Sequence, residues 1–259
     1  MIKHISIYSN ILKMNRDLRI FIPDQIEGPY QVLYMHDGQN LFNDKDAAYG
    51  TSWRIGETLE SMIHAAIMKP MMIVGIDNNS DRLIEYSPVD VKTIEDTLKI
   101  KFEKPYYGES YVDFIANELK PFIDQSFNTL KNKENTFIAG SSMGGVISLF
   151  AGLKYKNIFG RIGMLSNASW YNQQAYLNLI NSIKPSADQR YFITVGSNES
   201  SKGDPKDGLI YIKTNEELAD ALRKYSNHIY FRVYEGAIHN ESFWRIVSPE
   251  MLFFLTSTK

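Results

Sequence analysis

The chain has 259 residues, 44% of them hydrophobic, enough to bury one large core. With 28 Lys and Arg against 30 Asp and Glu, no basic field exists to hold a polyanion, so nucleic acid is not an expected partner. There are no cysteines, which excludes disulfides, thiolate metal sites and thiol nucleophiles, and leaves chemistry to oxygen and nitrogen side chains.

The first residues mix Lys3, Lys13, Arg16 and Asp17 into an apolar background, so no signal-peptide core is seen. No apolar run reaches the ~20 residues that a membrane helix needs. A soluble, cytoplasmic protein with no membrane partner is therefore expected. In chain order, short β-branched and aromatic runs predict strands over His4 to Tyr8, Leu18 to Ile22, Gln31 to His36, Met71 to Ile76, Thr136 to Ala139, Arg161 to Leu165, Tyr191 to Val195 and Ile229 to Tyr234. The third, fourth, fifth and seventh are nearly continuous apolar runs, the mark of parallel strands covered on both faces. The first two are more mixed and predict an antiparallel edge.

Between them, helical spacing predicts helices over Trp53 to Ile67, Tyr111 to Gln125, Gly144 to Tyr155, Tyr171 to Ile183, Thr214 to Tyr225 and Glu241 to Leu255. Thr214 and Glu217 have capping-box spacing, and Pro249 predicts a kink or two helices in the last segment. Asp77 to Tyr107 fits neither period; it carries Pro88, Pro105 and a weak helical piece from Val91 to Phe102. An irregular stretch of that length reads as an insertion covering one edge of a site. No repeat or linker divides the chain, so residues 1–259 are expected to form a single α/β domain.

One motif carries chemistry. An apolar strand runs into Gly140-Ser141-Ser142-Met143-Gly144-Gly145 and then into an apolar helix. This is G-x-S-x-G in the strand–turn–helix context of a nucleophile elbow, where glycines on both sides let a strained turn close around the serine. The alternatives are a tight turn with a capping serine, or a phosphate loop, which lacks its lysine here. Ser142 is the candidate nucleophile; Ser141 lacks the symmetric glycines.

A serine needs a histidine to take its proton. Of five histidines, His4, His36, His64 and His228 fall in or beside predicted strands and helices. His239 alone falls in the loop after the last strand, 97 residues beyond Ser142. The orienting carboxylate should lie in the loop after Tyr191 to Val195. Glu199 is nearest the strand end and favoured, with Asp204 next and Asp207 third. Backbone N–H groups for a developing oxyanion should come from Met143 and, after the third strand, Gln39. His36 and Asp37 read as structural supports of that loop.

Met35-His-Asp-Gly-Gln-Asn-Leu-Phe42, Val74-Gly-Ile-Asp-Asn78, Arg82 with Glu85-Tyr-Ser-Pro88, Gly140 to Gly145 and His239 together resemble the putative esterase family of α/β-hydrolases. That family includes siderophore, feruloyl and other carbohydrate esterases, S-formylglutathione hydrolases and mycolyl transferases. The resemblance runs from about the first strand to the last helix. It implies the α/β-hydrolase fold, with an eight-stranded, mostly parallel sheet and helices on both faces. It also implies a Ser, acid, His triad in that chain order, which maps onto Ser142, Glu199 or Asp204, and His239. The separate N-terminal domain of many Gram-negative siderophore esterases has no counterpart in these residues, and the lack of cysteine disfavours a thiol-modulated S-formylglutathione hydrolase.

Trp53, Arg82, Trp170, Tyr171 and Trp244 fall in or beside loops at the carboxyl ends of strands, the ligand side of such sheets. They either line a substrate pocket or pack the core; Arg82 either binds an anionic group or pairs with Glu85. The expectation is a serine ester hydrolase of a small soluble ester that needs no cofactor or metal. The same residues would support acyl transfer to an alcohol, and a chain that had lost the acid would be a binding protein. The sequence leaves the ester and the oligomeric state open.

Overall fold

The computed structural model describes residues 1–200 and 205–257. Among these, eight strands form one sheet: β1 (Ile2–Ser9), β2 (Met14–Phe21), β3 (Gln31–His36), β4 (Met71–Ile76), β5 (Thr136–Ser141), β6 (Arg161–Leu165), β7 (Arg190–Asn198) and β8 (His228–Ile238). Their order is β1-β2-β4-β3-β5-β6-β7-β8. β2 runs antiparallel to both β1 and β4, and the other neighbours are parallel. This is the expected α/β-hydrolase architecture with its antiparallel edge.

The helices are α1 (Ile55–His64), α2 (Arg82–Glu85), α3 (Lys92–Leu98), α4 (Gly108–Phe114), α5 (Lys120–Ser126), α6 (Met143–Lys154), α7 (Gln173–Ile183), α8 (Pro205–Arg223) and α9 (Glu241–Thr256). A wider π turn, Ile115–Leu119, joins α4 to α5. Because side chains alternate across a strand, each central strand feeds two cores. Val32, Tyr34, Met72, Val74 and Ile138 pack beneath α4 to α8. Leu33, Met35, Met71, Ile73 and Phe137 pack on the other face, against α1 and α9. Continuous apolar runs are therefore required, since neither face of β3, β4 or β5 meets water.

Three local expectations change. The helix expected from Thr214 begins at Pro205, so Thr214 lies mid-helix, and its hydroxyl donates to the Ile210 carbonyl at 2.9 Å instead of capping a first turn. Pro249 does not divide the last segment: α9 is continuous. Proline has no N–H for the carbonyl four residues back, and the Ser248 hydroxyl donates to that Arg245 carbonyl at 2.9 Å. The stretch from 77 to 107 is less irregular than its composition implies, holding α2 and α3. It is tied down by a buried pair, Arg16 with Glu85, and by Arg16 Nη2 donating to the Asp77 carbonyl at 2.9 Å.

His36, Ser141, Leu165, Asn198 and Ile238 all end their strands on the same side of the sheet. Among the described residues, Gln39, Ser142, Met143, Glu199 and His239 lie just beyond these carboxyl ends. Among the described residues, no helix is long and apolar enough to cross a membrane.

Candidate active site

Ser142 stands between β5 and α6 with φ 56° and ψ −122°, a backbone conformation that costs a residue with a Cβ roughly 1–3 kcal/mol. The flanking glycines explain how the turn closes. A Cβ on Gly140 would lie 2.8 Å from the carbonyl carbon and oxygen of Gly144. The turn is held from outside: the Ser142 N–H donates to the Leu165 carbonyl at 2.9 Å, and the Ser142 carbonyl accepts from Gly145 at 3.0 Å and Ala168 at 3.3 Å. Met143 follows at the first position of α6, where amides have no intrahelical acceptor.

Glu199 lies one residue beyond β7 and is 1% exposed. Its Oε2 is 2.5 Å from His239 Nδ1. Its Oε1 accepts from the Gly196 N–H and from the Ser166 hydroxyl, each at 2.5 Å. Ser166 in turn accepts from the Trp244 indole at 2.9 Å. Bonded to a carboxylate, Nδ1 carries the proton, which leaves Nε2 as the acceptor.

The His239 ring sits between two aromatics, edge-on to Trp244 at 5.2 Å and tilted against Tyr211 at 5.1 Å. Tyr211, on α8, also meets Ser142 through its hydroxyl, so one side chain touches both the elbow and the imidazole. Burial pushes its phenol up to about 12, against the opposing influence of Trp170 and Ser142, and it stays neutral. Neither Ser166 nor Tyr211 stood out in the sequence. A hydroxyl beyond β6 and a tyrosine inside a helix carry no motif.

The loop after β3 forms a short 3-10 turn, Gly38–Asn40, entered through Asp37 at φ 57°. Gly38 is required there, because a Cβ would lie 2.5 Å from Asp77 Oδ1 and 2.8 Å from the Gly75 carbonyl carbon. Gln39 is anchored by its side chain, whose Oε1 accepts from the Asn78 N–H at 3.1 Å. Arg82 grips Asp37 with two bonds, Nε to Oδ1 at 2.7 Å and Nη2 to Oδ2 at 2.8 Å. Its partner is thus Asp37 and not Glu85, which belongs to Arg16. Burial raises the Asp37 carboxyl, but Arg82, Asn78 and His36 outweigh it and hold the group below the usual range. His36 is buried, its Nδ1 2.9 Å from the Tyr111 hydroxyl, and burial lowers it to about 3.

The remaining residues separate by depth. Trp53, Tyr171 and Trp244 are 2%, 2% and 5% exposed and belong to the packed interior. Trp170 is half-buried beside Tyr211, and its indole N–H has no hydrogen-bond acceptor of adequate geometry. Asp207 accepts from the Ser200 hydroxyl at 3.0 Å. Asp204 lies outside the described residues. Among the described residues no group of three or more His, Asp or Glu side chains could hold a metal ion. Surface depressions of about 630 and 310 Å³ lie elsewhere, one beside Gln31 and Pro70 at the opposite end of the strands, the other between Asp90 and Tyr106. The chemical geometry, not cavity size, marks the site.

A family model described as "Putative esterase" matches residues 9–254. Bacillus subtilis YbbA, described as an uncharacterized protein, is 26% identical over 89% of this chain and 88% of its own length. Among solved structures, the BES protein from Bacillus cereus superposes with a TM-score of 0.77 at 20% identity, covering 99% of this chain and 95% of that one. The enterobactin esterase FES from Shigella flexneri gives 0.74 at 20% identity over 98% of this chain, which spans 58% of that chain's length. At such identities the likeness establishes a shared fold.

Proposed function

Because the chain belongs to the putative esterase family, we propose that it is a serine hydrolase that cleaves a small soluble carboxylic ester through an acyl-enzyme on Ser142. The observation that carries this reading is the buried Glu199 carboxylate, fixed by Gly196 and Ser166 and bonded to His239 Nδ1 at 2.5 Å. A carboxylate so placed holds one imidazole tautomer and stabilises the cation that forms when Nε2 takes a proton.

Ser142 Oγ attacks the ester carbonyl carbon as His239 Nε2 accepts its proton. The carbonyl oxygen becomes an oxyanion held by the N–H groups of Met143 and Gln39. Collapse breaks the bond to the alcohol oxygen, which leaves with the proton from Nε2. Water then gives a proton to His239 and attacks the acyl carbon. The second collapse releases the acid and returns the proton to Ser142. No cofactor enters this sequence.

A fluorophosphonate probe and a panel of p-nitrophenyl esters of graded acyl length test the reading. Labelling and turnover should both vanish in Ser142→Ala. Labelling that survives the substitution overturns the nucleophile, and labelling without turnover of any ester overturns hydrolysis. A wider panel, with a catecholate trilactone and a feruloyl sugar, then narrows the substrate.

A further inference from the structure

Glu241 takes no part in the proton transfers above, yet it is 4% exposed and lies two residues beyond His239 at the start of α9. Its Oε1 accepts from Asn40 Nδ2 at 3.0 Å, and Asn40 is 7% exposed. These partners stand 201 residues apart. Asn40 is the last residue of the turn that carries Gln39, while Asn240, next to Glu241, caps α9 by accepting from the Phe243 N–H at 3.2 Å. The bond therefore spans the two loops that must act on one substrate carbonyl from different sides.

Asn40 holds its turn through each of its polar groups. Its N–H donates to the Asp37 carbonyl at 2.8 Å, its own carbonyl accepts from Trp53 at 2.9 Å, and its Oδ1 accepts from the Ala48 N–H at 3.0 Å. The side-chain amide Nδ2 is the one group turned toward the histidine loop. A buried carboxylate makes a stronger acceptor for it than a neutral oxygen.

We infer that the Glu241–Asn40 hydrogen bond positions the oxyanion-binding turn relative to His239, making Glu241 a positioning residue of the reaction. The inference rests on the hydrolase reading above, with Gln39 as an oxyanion donor. Oxyanion donors act on the transition state more than on the bound ester, so a displaced turn lowers kcat with little change in KM.

The experiment compares Glu241→Met, which keeps length but removes the acceptor, with Glu241→Gln, which keeps it. Steady-state kinetics on a p-nitrophenyl ester and inhibition by an alkyl boronic acid, which forms a tetrahedral anionic adduct on serine, are the readouts. Glu241→Met should lose roughly 10- to 100-fold in kcat and in boronate affinity, with KM within about twofold. Glu241→Gln should recover to within about threefold of wild type. Asn40→Asp sets two carboxylates against each other and should be impaired, whereas Asn40→Asp combined with Glu241→Gln reverses donor and acceptor and should regain kcat. That pair decides the matter if Glu241→Met does not fold. Unchanged kcat in Glu241→Met, equal impairment in Glu241→Gln, or a double variant no better than Asn40→Asp overturns the inference. Wild-type fluorophosphonate labelling and ester turnover are measured alongside; their absence instead defeats the hydrolase reading.

Discussion

His239 Nδ1 and Glu199 Oε2 are 2.5 Å apart, and the carboxylate making that contact has no exposed side-chain surface. Replacing it by an amide keeps the shape but lets the side chain stabilise the wrong imidazole tautomer. Glu199→Gln is expected to lower kcat by about 10³- to 10⁴-fold with little effect on KM. Asp207→Asn, whose carboxylate meets Ser200, should stay within about threefold of wild type. Steady-state kinetics of the two variants and of Asp204→Asn compare the three carboxylates directly. A Glu199→Gln enzyme with near-normal kcat would place the acid elsewhere.

Much of this pairing is legible in the sequence because it depends on chain order. The proposed nucleophile turn after β5, the proposed acid after β7 and the proposed base after β8 are positions along the chain, and Glu199 is nearest its strand's end. The helix boundary at Pro205 is not legible in the same way. Gly208 argues against a helix there, and the Thr214–Glu217 spacing occurs inside helices as well as at their starts. Ser166, Tyr211 and Asn40 escape for another reason. Each acquires its role from a partner in a distant part of the chain: Ser166 bonds Glu199, Tyr211 packs at a tilt against His239, and Asn40 bonds Glu241.

Ser166 joins Trp244 to Glu199, accepting from the indole and donating to the carboxylate. Ser166→Ala removes a donor to a charged acceptor and strands the indole N–H, so kcat should fall roughly 10-fold, with KM unchanged. Trp244→Phe should fall by a similar factor. The double variant should be no worse than the sum of the singles' energies and closer to either single if the three groups act as one chain. Losses that multiply fully would mean that Trp244 acts on His239 through ring packing alone.

The elbow predicts a graded response to added methyl groups. Gly140→Ala brings a Cβ to 2.8 Å from the Gly144 backbone, which cannot yield without opening the turn. Gly144→Ala meets its nearest neighbour, the His36 side chain, at 3.3 Å. Gly140→Ala should cost about 3 kcal/mol or more in denaturant unfolding, and Gly144→Ala about 1 kcal/mol. Equal costs would count against the steric account of the motif.

His36 makes stability depend on pH. Burial, the leading cause, lowers its folded value to about 3 from an ordinary 6.5, so between these values the unfolded chain binds the extra proton. Stability therefore rises with pH through that window and is lost as pH falls below about 6.5. Between pH 7 and pH 5 the loss should be on the order of 2 kcal/mol. Burial raises Glu85 and Glu241, which act in the opposite sense, so the readout is a difference between two proteins. His36→Asn can keep a bond to Tyr111 without titrating, and its unfolding free energy should lack that part of the slope. Parallel slopes would show that His36 is protonated in the fold.

Arg82 offers the sharpest separation between binding a substrate and building the loop. Both of its bonds to Asp37 are directed at the residue that enters the Gly38–Asn40 turn through a left-handed conformation. Arg82→Ala leaves the Asp37 carboxylate, 6% exposed, with the Asn78 side-chain amide as its remaining hydrogen-bond donor among the described residues. Breaking such a partly buried pair from one side costs on the order of 2 kcal/mol, less than for a fully buried pair, and the carboxyl's pKa must rise. Unfolding should therefore be easier by about that amount at pH 7, with less difference near pH 4, where the stranded carboxyl takes up a proton. Because the turn also carries Gln39, kcat should fall as well. An anion-binding role alone predicts the contrary pattern: a higher KM for acidic esters, an unchanged KM for neutral ones and an unaltered melting temperature. Measuring both esters and the melting curve for Arg82→Ala and Arg82→Lys distinguishes the two, since lysine restores a charge but not the paired contact with both oxygens.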